Sequence, residues 1–209
     1  MALPALPRRY HAASIWLVYA LGLAPAAWSF YLGATGQLGG NAVESFEHLL
    51  GEWALRFLIL TLAISPIRDL FRINWLRYRR ALGLLAFWYV LMHFSTYVAL
   101  DKRFALGVIA EDIVRRWFIT IGMGALVALI PLALTSNAWS IRKLGPTWTR
   151  LHRLIYPIAA LGALHACLSV KVIGPDLMVY AALIALLIGW RLVRPRYMER
   201  KRAMRLARG

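Results

Sequence analysis

Charge is scarce in this chain, and acidic charge scarcer still. Of its 209 residues, 16% are Asp, Glu, Lys or Arg, and only nine are Asp or Glu. A soluble domain usually carries about a quarter charged residues. Cysteine is almost missing: the lone Cys167 excludes a disulfide scaffold, a cysteine-rich zinc site and a cysteine-ligated iron–sulfur cluster. No GxGxxG stands between a strand and a helix, and there is no GxxxxGK[ST]. A built-in NAD(P)H or nucleotide-hydrolysis module is therefore not expected. The connections between apolar runs reach about 15 residues, too few for a soluble catalytic domain. Alternating short strands, the signature of a membrane barrel, are absent as well.

Apolar residues are what the chain has in excess. They make up 61% of it, with a mean hydropathy of +0.60, which excludes a disordered chain. Six runs approach the roughly 20 residues that cross a bilayer as helix. They lie at about 12–32, 47–66, 82–100, 116–135, 151–170 and 176–193. Helix is the expected form, because unpaired backbone is costly in lipid. The first run follows Arg8 and Arg9 and lacks a clear small-residue cleavage site, so it reads as a span rather than simply a signal peptide. The expectation is an all-α bundle of six transmembrane helices, one membrane domain over 1–209 that ends in a basic tail, 194–209.

The net charge of +16 would suggest nucleic acid in a soluble protein. Here the basic residues sit in blocks between apolar runs, and no nucleic-acid-binding motif accompanies them. With the N-terminus inside, nineteen of the 25 Lys and Arg fall on the inner side and five on the outer. The positive-inside rule then places both termini in the cytoplasm.

Among so few ionisable residues, two histidines stand out by depth. His93 lies seven residues from the outer end of the third span, roughly 10 Å deep at helical rise. His165 lies five residues from the outer end of the fifth span, roughly 7–8 Å deep. The two spans run parallel, so both imidazoles are at nearly matching depths, and intramembrane ionisable residues are candidates for function. Two imidazoles on facing helices suit haem iron held from both sides, an arrangement for electron transfer. Zinc fits less well, for want of third and fourth ligands. A proton or ion path and a purely structural pair are the other readings. His11, at the inner edge of the first span, reads as structural or without a role, and His48, at the outer start of the second, as interfacial.

His152, at the inner end of the fifth span, is thirteen residues before His165 and about 220° away around a straight helix. It reads as an alternative axial ligand, a cofactor-edge or quinone hydrogen-bonding group, or a structural residue. The segment 77–83 puts Arg77, Arg79 and Arg80 where the third span meets the inner headgroups. They serve topology and lipid contact, or form an anion site for a flavin phosphate or haem propionate. Glu52 and Arg56, four residues apart in the second span, can pair, and Arg56 can also meet a propionate. Gly122, Gly124 and Ala125 offer a small surface for close helix packing.

Several motifs carry a family resemblance in their order and spacing. They are Arg79-Arg80-x-Leu-Gly-Leu; His93-x-x-x-Tyr97; Lys143-Leu-Gly-x-x-Trp148-x-x-Leu-His152; and His165 followed by Ser-Val-Lys171. Over nearly its whole length the chain resembles the MsrQ family of haem-binding membrane subunits, within the ferric reductase-like transmembrane proteins. The resemblance implies a bacterial cytoplasmic-membrane protein carrying haem b and FMN. It implies electrons taken from respiratory quinol and passed to a periplasmic, molybdopterin-containing MsrP-like subunit, which reduces methionine sulfoxide in oxidised proteins. The sulfoxide chemistry would belong to that partner, with this chain as the electron-transfer subunit. The family's haem-associated histidines fall on His93, His152 and His165. The fourth histidine of broader relatives is missing here, as are their flavin and nicotinamide domains. A ferric or other metal reductase relay and a non-haem transporter are the competing expectations.

Overall fold

The computed structural model describes residues 7–206. The last three residues of the basic segment 194–209 lie outside the described residues, and the side chains of Arg8 and of the basic residues from Arg200 onward lie outside the described side chains. The helices are α1 (His11–Ala34), α2 (Ala42–Phe71), α3 (Arg79–Thr96), α4 (Leu106–Arg115), α5 (Trp117–Leu134), α6 (Ala138–Leu144), α7 (Pro146–Leu151), α8 (Ile155–Ser169) and α9 (Pro175–Leu206). The described residues contain no strand. Among the described residues, six helical stretches are long and apolar enough to cross a membrane: His11–Ala34, Ala42–Phe71, Leu76–Asp101, Trp117–Leu134, Pro146–Ser169 and Pro175–Glu199. The protein is thus a six-span helical bundle. The third stretch is α3 extended by a short turn before it and a π-helical turn, Tyr97–Asp101, after it. The fifth is α7 and α8 joined by the 3₁₀ turn His152–Leu154.

Local chemistry sets several boundaries. Asn41 caps α2 by accepting the Glu44 amide at 3.3 Å, and its own amide donates to the Glu44 carboxylate at 2.6 Å, a reciprocal arrangement akin to a capping box. Asn137 caps α6 through the Ser140 amide at 2.8 Å. Pro146 opens α7, where a missing N–H leaves no helical bond broken. Pro25, Pro66 and Pro131 lie inside helices, as membrane spans allow when neighbours satisfy the freed backbone. At Pro25 the neighbour is Tyr89 of α3, a residue with no exposed surface. Its hydroxyl donates to the Gly22 carbonyl at 2.8 Å and accepts the Ala26 amide at 3.0 Å. One turn of α1 is thereby bridged from another helix.

Four helices form a ring. α2 packs on α3 and on α8, and α5 packs on α8 and on α3. α3 and α8 therefore occupy opposite corners, with α2 and α5 at the other two. α1 lies outside against α2 and α3, and α9 against α2 and α8. The buried core follows the ring: Leu55 and Leu58 of α2, Leu85 of α3, Leu129 of α5, Ile158 of α8 and Ile184 of α9. Large apolar side chains such as Trp16, Phe30 and Leu186 point outward, as expected of helices apolar on every face. At one end of the bundle, the arginine end, Asp69 of α2 is buried between Arg68 at 3.0 Å and Arg194 of α9 at 2.5 Å. The opposite end, where α3 finishes and α8 finishes, carries His93 and His165 and is called the histidine end below.

Candidate functional site

His93 stands in the last turn of α3 and His165 in the last third of α8. Because α3 and α8 are diagonal in the ring, the two imidazoles meet across its middle. Their ring centroids are 6.0 Å apart and their planes are 81° from parallel. Each ring is held from one of the other two corners. His93 Nδ1 is 2.9 Å from the Glu47 carbonyl of α2, and His165 Nδ1 is 2.7 Å from the Phe118 carbonyl of α5. A carbonyl only accepts, so each Nδ1 carries the proton and each Nε2 keeps its lone pair.

Both imidazoles line one cavity of about 460 Å³, within the range of small-molecule and cofactor sites. Its walls include Gly51, Leu55, Leu58, Gly122, Leu126, Leu129 and Ile158. At the histidine end the lining turns polar, with Asn41, Glu44, His48, Glu52, Asp101, Lys102 and Arg116. The donor set fits haem. Two metal–imidazole bonds of about 2 Å each, with the near half of each ring, fill a separation like the one observed. The backbone carbonyls are the outer-shell acceptors that a metal-bound histidine needs. The apolar walls suit a porphyrin. Among the described residues no three His, Cys, Asp or Glu side chains converge on a metal-ion site.

Sequence reasoning passed over Glu47. Its carbonyl anchors His93, and its carboxylate Oε1 lies 3.9 Å from His93 Nε2, beyond hydrogen-bonding distance. A carboxylate near a span end is ordinary, so nothing in the linear sequence marked it. Gly51 also lines the cavity, and a single glycine inside an apolar run carries no mark of that in the linear sequence.

The other sequence-derived candidates lie elsewhere. His152 is at the arginine end, outside this cavity. Its ring stacks on Trp148 at 3.8 Å between centroids, and its Nε2 is 3.0 Å from the Thr135 hydroxyl. Trp148 in turn donates to the Thr135 carbonyl at 2.9 Å. Arg56 pairs with Glu52 at 2.8 Å, as the four-residue spacing allows, and also donates to the Tyr180 hydroxyl of α9 at 2.8 Å. Its guanidinium lies 4.6 Å from the Trp53 ring centroid. Arg56 does not line the cavity, but its partner Glu52 does. Arg77, Arg79 and Arg80 lead into α3 at the arginine end, and Nη1 of Arg77 is buried there without a hydrogen-bond partner.

At the histidine end the π-helical turn and α4 are tied by a charged knot. Asp112 accepts from the Tyr97 hydroxyl at 3.0 Å and pairs with Lys102 at 3.1 Å and Arg116 at 3.0 Å. Burial alone would raise the Asp112 carboxyl. The hydrogen bonds from Lys102 and Tyr97 and the neighbouring cations together outweigh it, and the carboxyl titrates below its ordinary range. Burial likewise opposes the charge on Lys102, and its bonds to Asp101 and Asp112 prevail, raising its pKa.

The structure is a helical bundle with two carbonyl-anchored imidazoles facing each other across its middle, and the relatives give its family. Residues 11–163 match the family described as ferric reductase like transmembrane component, and the chain belongs to that family, in its MsrQ branch. It is 66% identical over 201 residues to the protein-methionine-sulfoxide reductase heme-binding subunit MsrQ of Rhizobium meliloti, covering 96% of this chain and 93% of the relative. The proteins of the same name from Brucella ovis and Brucella abortus are each 60% identical over 191 residues, covering 91% of this chain and 87% of theirs.

Proposed function

We propose that this protein is a haem b electron-transfer subunit that carries electrons from respiratory quinol to a periplasmic, molybdopterin-containing MsrP-like methionine sulfoxide reductase subunit. The observation that carries the reading is the facing pair His93 and His165, both with Nδ1 anchored and Nε2 free. The named relatives are heme-binding subunits of protein-methionine-sulfoxide reductases, which supports both the haem and the partner. His93 and His165 would hold the iron in this proposal. When bound there, haem supplies a one-electron iron couple. The protein's residues do the rest: two neutral imidazoles hold the metal, two carbonyls fix their tautomer, and the apolar wall excludes water. Arg56 contributes by holding Glu52 at the cavity wall.

The histidine end is periplasmic in this reading and both termini are cytoplasmic, an orientation that the basic residues at the arginine end support. The membrane is the bacterial inner membrane, and its lipid covers the outward apolar faces. His152, beside Trp148 and Thr135 at the cytoplasmic end, is placed to hydrogen-bond a quinone headgroup or to serve as an alternative ligand. FMN is the second cofactor of the proposal. Arg77, Arg79 and Arg80 supply the anion-binding chemistry for its phosphate, and the unpaired Nη1 of Arg77 supports a ligand there. Quinol oxidation releases two electrons and two protons. In the partner, two electrons and two protons reduce the sulfoxide to the thioether and water, so this chain acquires no substrate bond of its own.

The test is a reduced-minus-oxidised spectrum of the purified protein, with His93→Ala and His165→Ala, followed by quinol-driven sulfoxide reduction with the partner. A b-type spectrum lost in both variants is expected. A parent without that spectrum would sink the haem reading; haem with no transfer to the partner, but reduction of ferric chelates, would favour the metal-reductase relay.

A further inference from the structure

Gly51 and Gly122 stand in equivalent places around the cavity. His93 Nδ1 meets the carbonyl of Glu47, and Gly51 is four residues further along α2. His165 Nδ1 meets the carbonyl of Phe118, and Gly122 is four residues further along α5. In an α-helix the carbonyl of residue i already accepts the amide of residue i+4. Its second lone pair can take an imidazole N–H, but the ring must then lie on the helix surface at i+4, which shares a face with i.

A side chain at either position would occupy that space. A Cβ on Gly122 would come within 2.7 Å of His165 Nδ1 and 2.9 Å of Cε1. A Cβ on Gly51 would meet His93 Nδ1 at 3.4 Å and Cε1 at 3.5 Å. The nearest atoms are imidazole atoms in both cases, not the backbone of a neighbouring helix. Gly124, two residues along α5, meets nothing within 4 Å. Helix packing alone would not reserve both openings for the same ring edge.

We infer that Gly51 and Gly122 are paired notches that seat the two imidazoles: each ring lies over a glycine and gives its Nδ1 proton to the carbonyl one turn earlier, leaving Nε2 for the iron. The use of Nε2 rests on the haem reading above; the seating of the rings does not. The two glycines are positioning residues, and the notch at Gly122 is the tighter.

The experiment uses full-length protein labelled with ¹⁵N-histidine, haem-free and haem-loaded, in detergent. In the haem-free parent both rings should show the Nδ1–H tautomer by nitrogen shift. Gly122→Ala should remove that signature from His165 and leave His93 unchanged. Its haem affinity should fall about tenfold or more, the usual consequence of losing an outer-shell partner of a metal ligand. Gly51→Ala should keep haem with a shifted midpoint potential, and Gly51→Val should remove the His93 signature alone. Gly124→Ala should behave as the parent. An Nε2–H tautomer in the parent, an unchanged His165 signal in Gly122→Ala, or equal haem loss in Gly124→Ala would each overturn the inference. If Gly122→Ala does not fold, Gly51→Val and the parent's tautomer decide it. A parent that seats both rings as described but takes up no haem would instead overturn the haem reading.

Discussion

The His93 and His165 rings face each other at 6.0 Å with planes 81° from parallel. The carbonyls that hold them explain the twist, since each ring follows a different helix, α2 for one and α5 for the other. Loaded with haem, the ferric protein should give the strongly anisotropic low-spin resonance of nearly perpendicular imidazoles. Electron paramagnetic resonance of the oxidised protein checks this, and a rhombic signal of the parallel type would show that the rings turn on binding.

Tyr89 joins α1 to the ring through one hydroxyl that serves both Gly22 and Ala26. Tyr89→Phe keeps the packing and leaves a carbonyl and an amide without that partner. Each unsatisfied buried group costs about 1–3 kcal/mol, so unfolding in detergent should begin at a visibly lower temperature. Haem content should stay near that of the parent, because Tyr89 does not line the cavity.

The knot around Asp112 has a defined pH window. The depressed Asp112 carboxyl contributes stability above its ordinary value of 3.8, and that contribution is lost as pH falls through the lower folded value. The raised Lys102 contributes below its ordinary 10.5, and that is lost as pH rises through its higher folded value. Asp112→Asn should therefore lower the melting temperature at neutral pH, with the difference from the parent closing in strong acid. A gap that persists unchanged at the acid end would count against the ion pairs as its source.

Asp69 clasps α9 to α2 through Arg194. With Asp69→Ala, Arg194 loses its carboxylate partner at a half-buried position. Breaking a buried pair from one side costs up to about 3–5 kcal/mol, less here because Arg194 keeps some exposure. The end of α9 should become the first site of limited proteolysis, while the haem spectrum of the histidine end should not change.

Much of the site's location was legible in the linear chain. Seven residues from a span end for His93 and five for His165 suggest neighbouring levels in the bundle, and the structure sets their rings 6.0 Å apart. The four-residue spacing of Glu52 and Arg56 likewise anticipated their ion pair. Partners from distant helices were not legible. Tyr180, which accepts from Arg56, is 124 residues away. Gly122 read as a helix-packing surface, yet the space before it holds the His165 ring.

The sequence by itself determined the apolar character and number of the spans, the charge asymmetry between their ends and the place of each histidine along its helix. Those follow from residue type and helical rise, because lipid penalises charge and unpaired backbone wherever they occur. Only the tertiary structure decided which helices share corners, which carbonyl takes each Nδ1 proton and which glycines stand beneath the rings. Such choices depend on how each helix is rotated about its axis. A span that is apolar on every face carries little record of that rotation in its own residues, so it is set by the neighbours that pack against it.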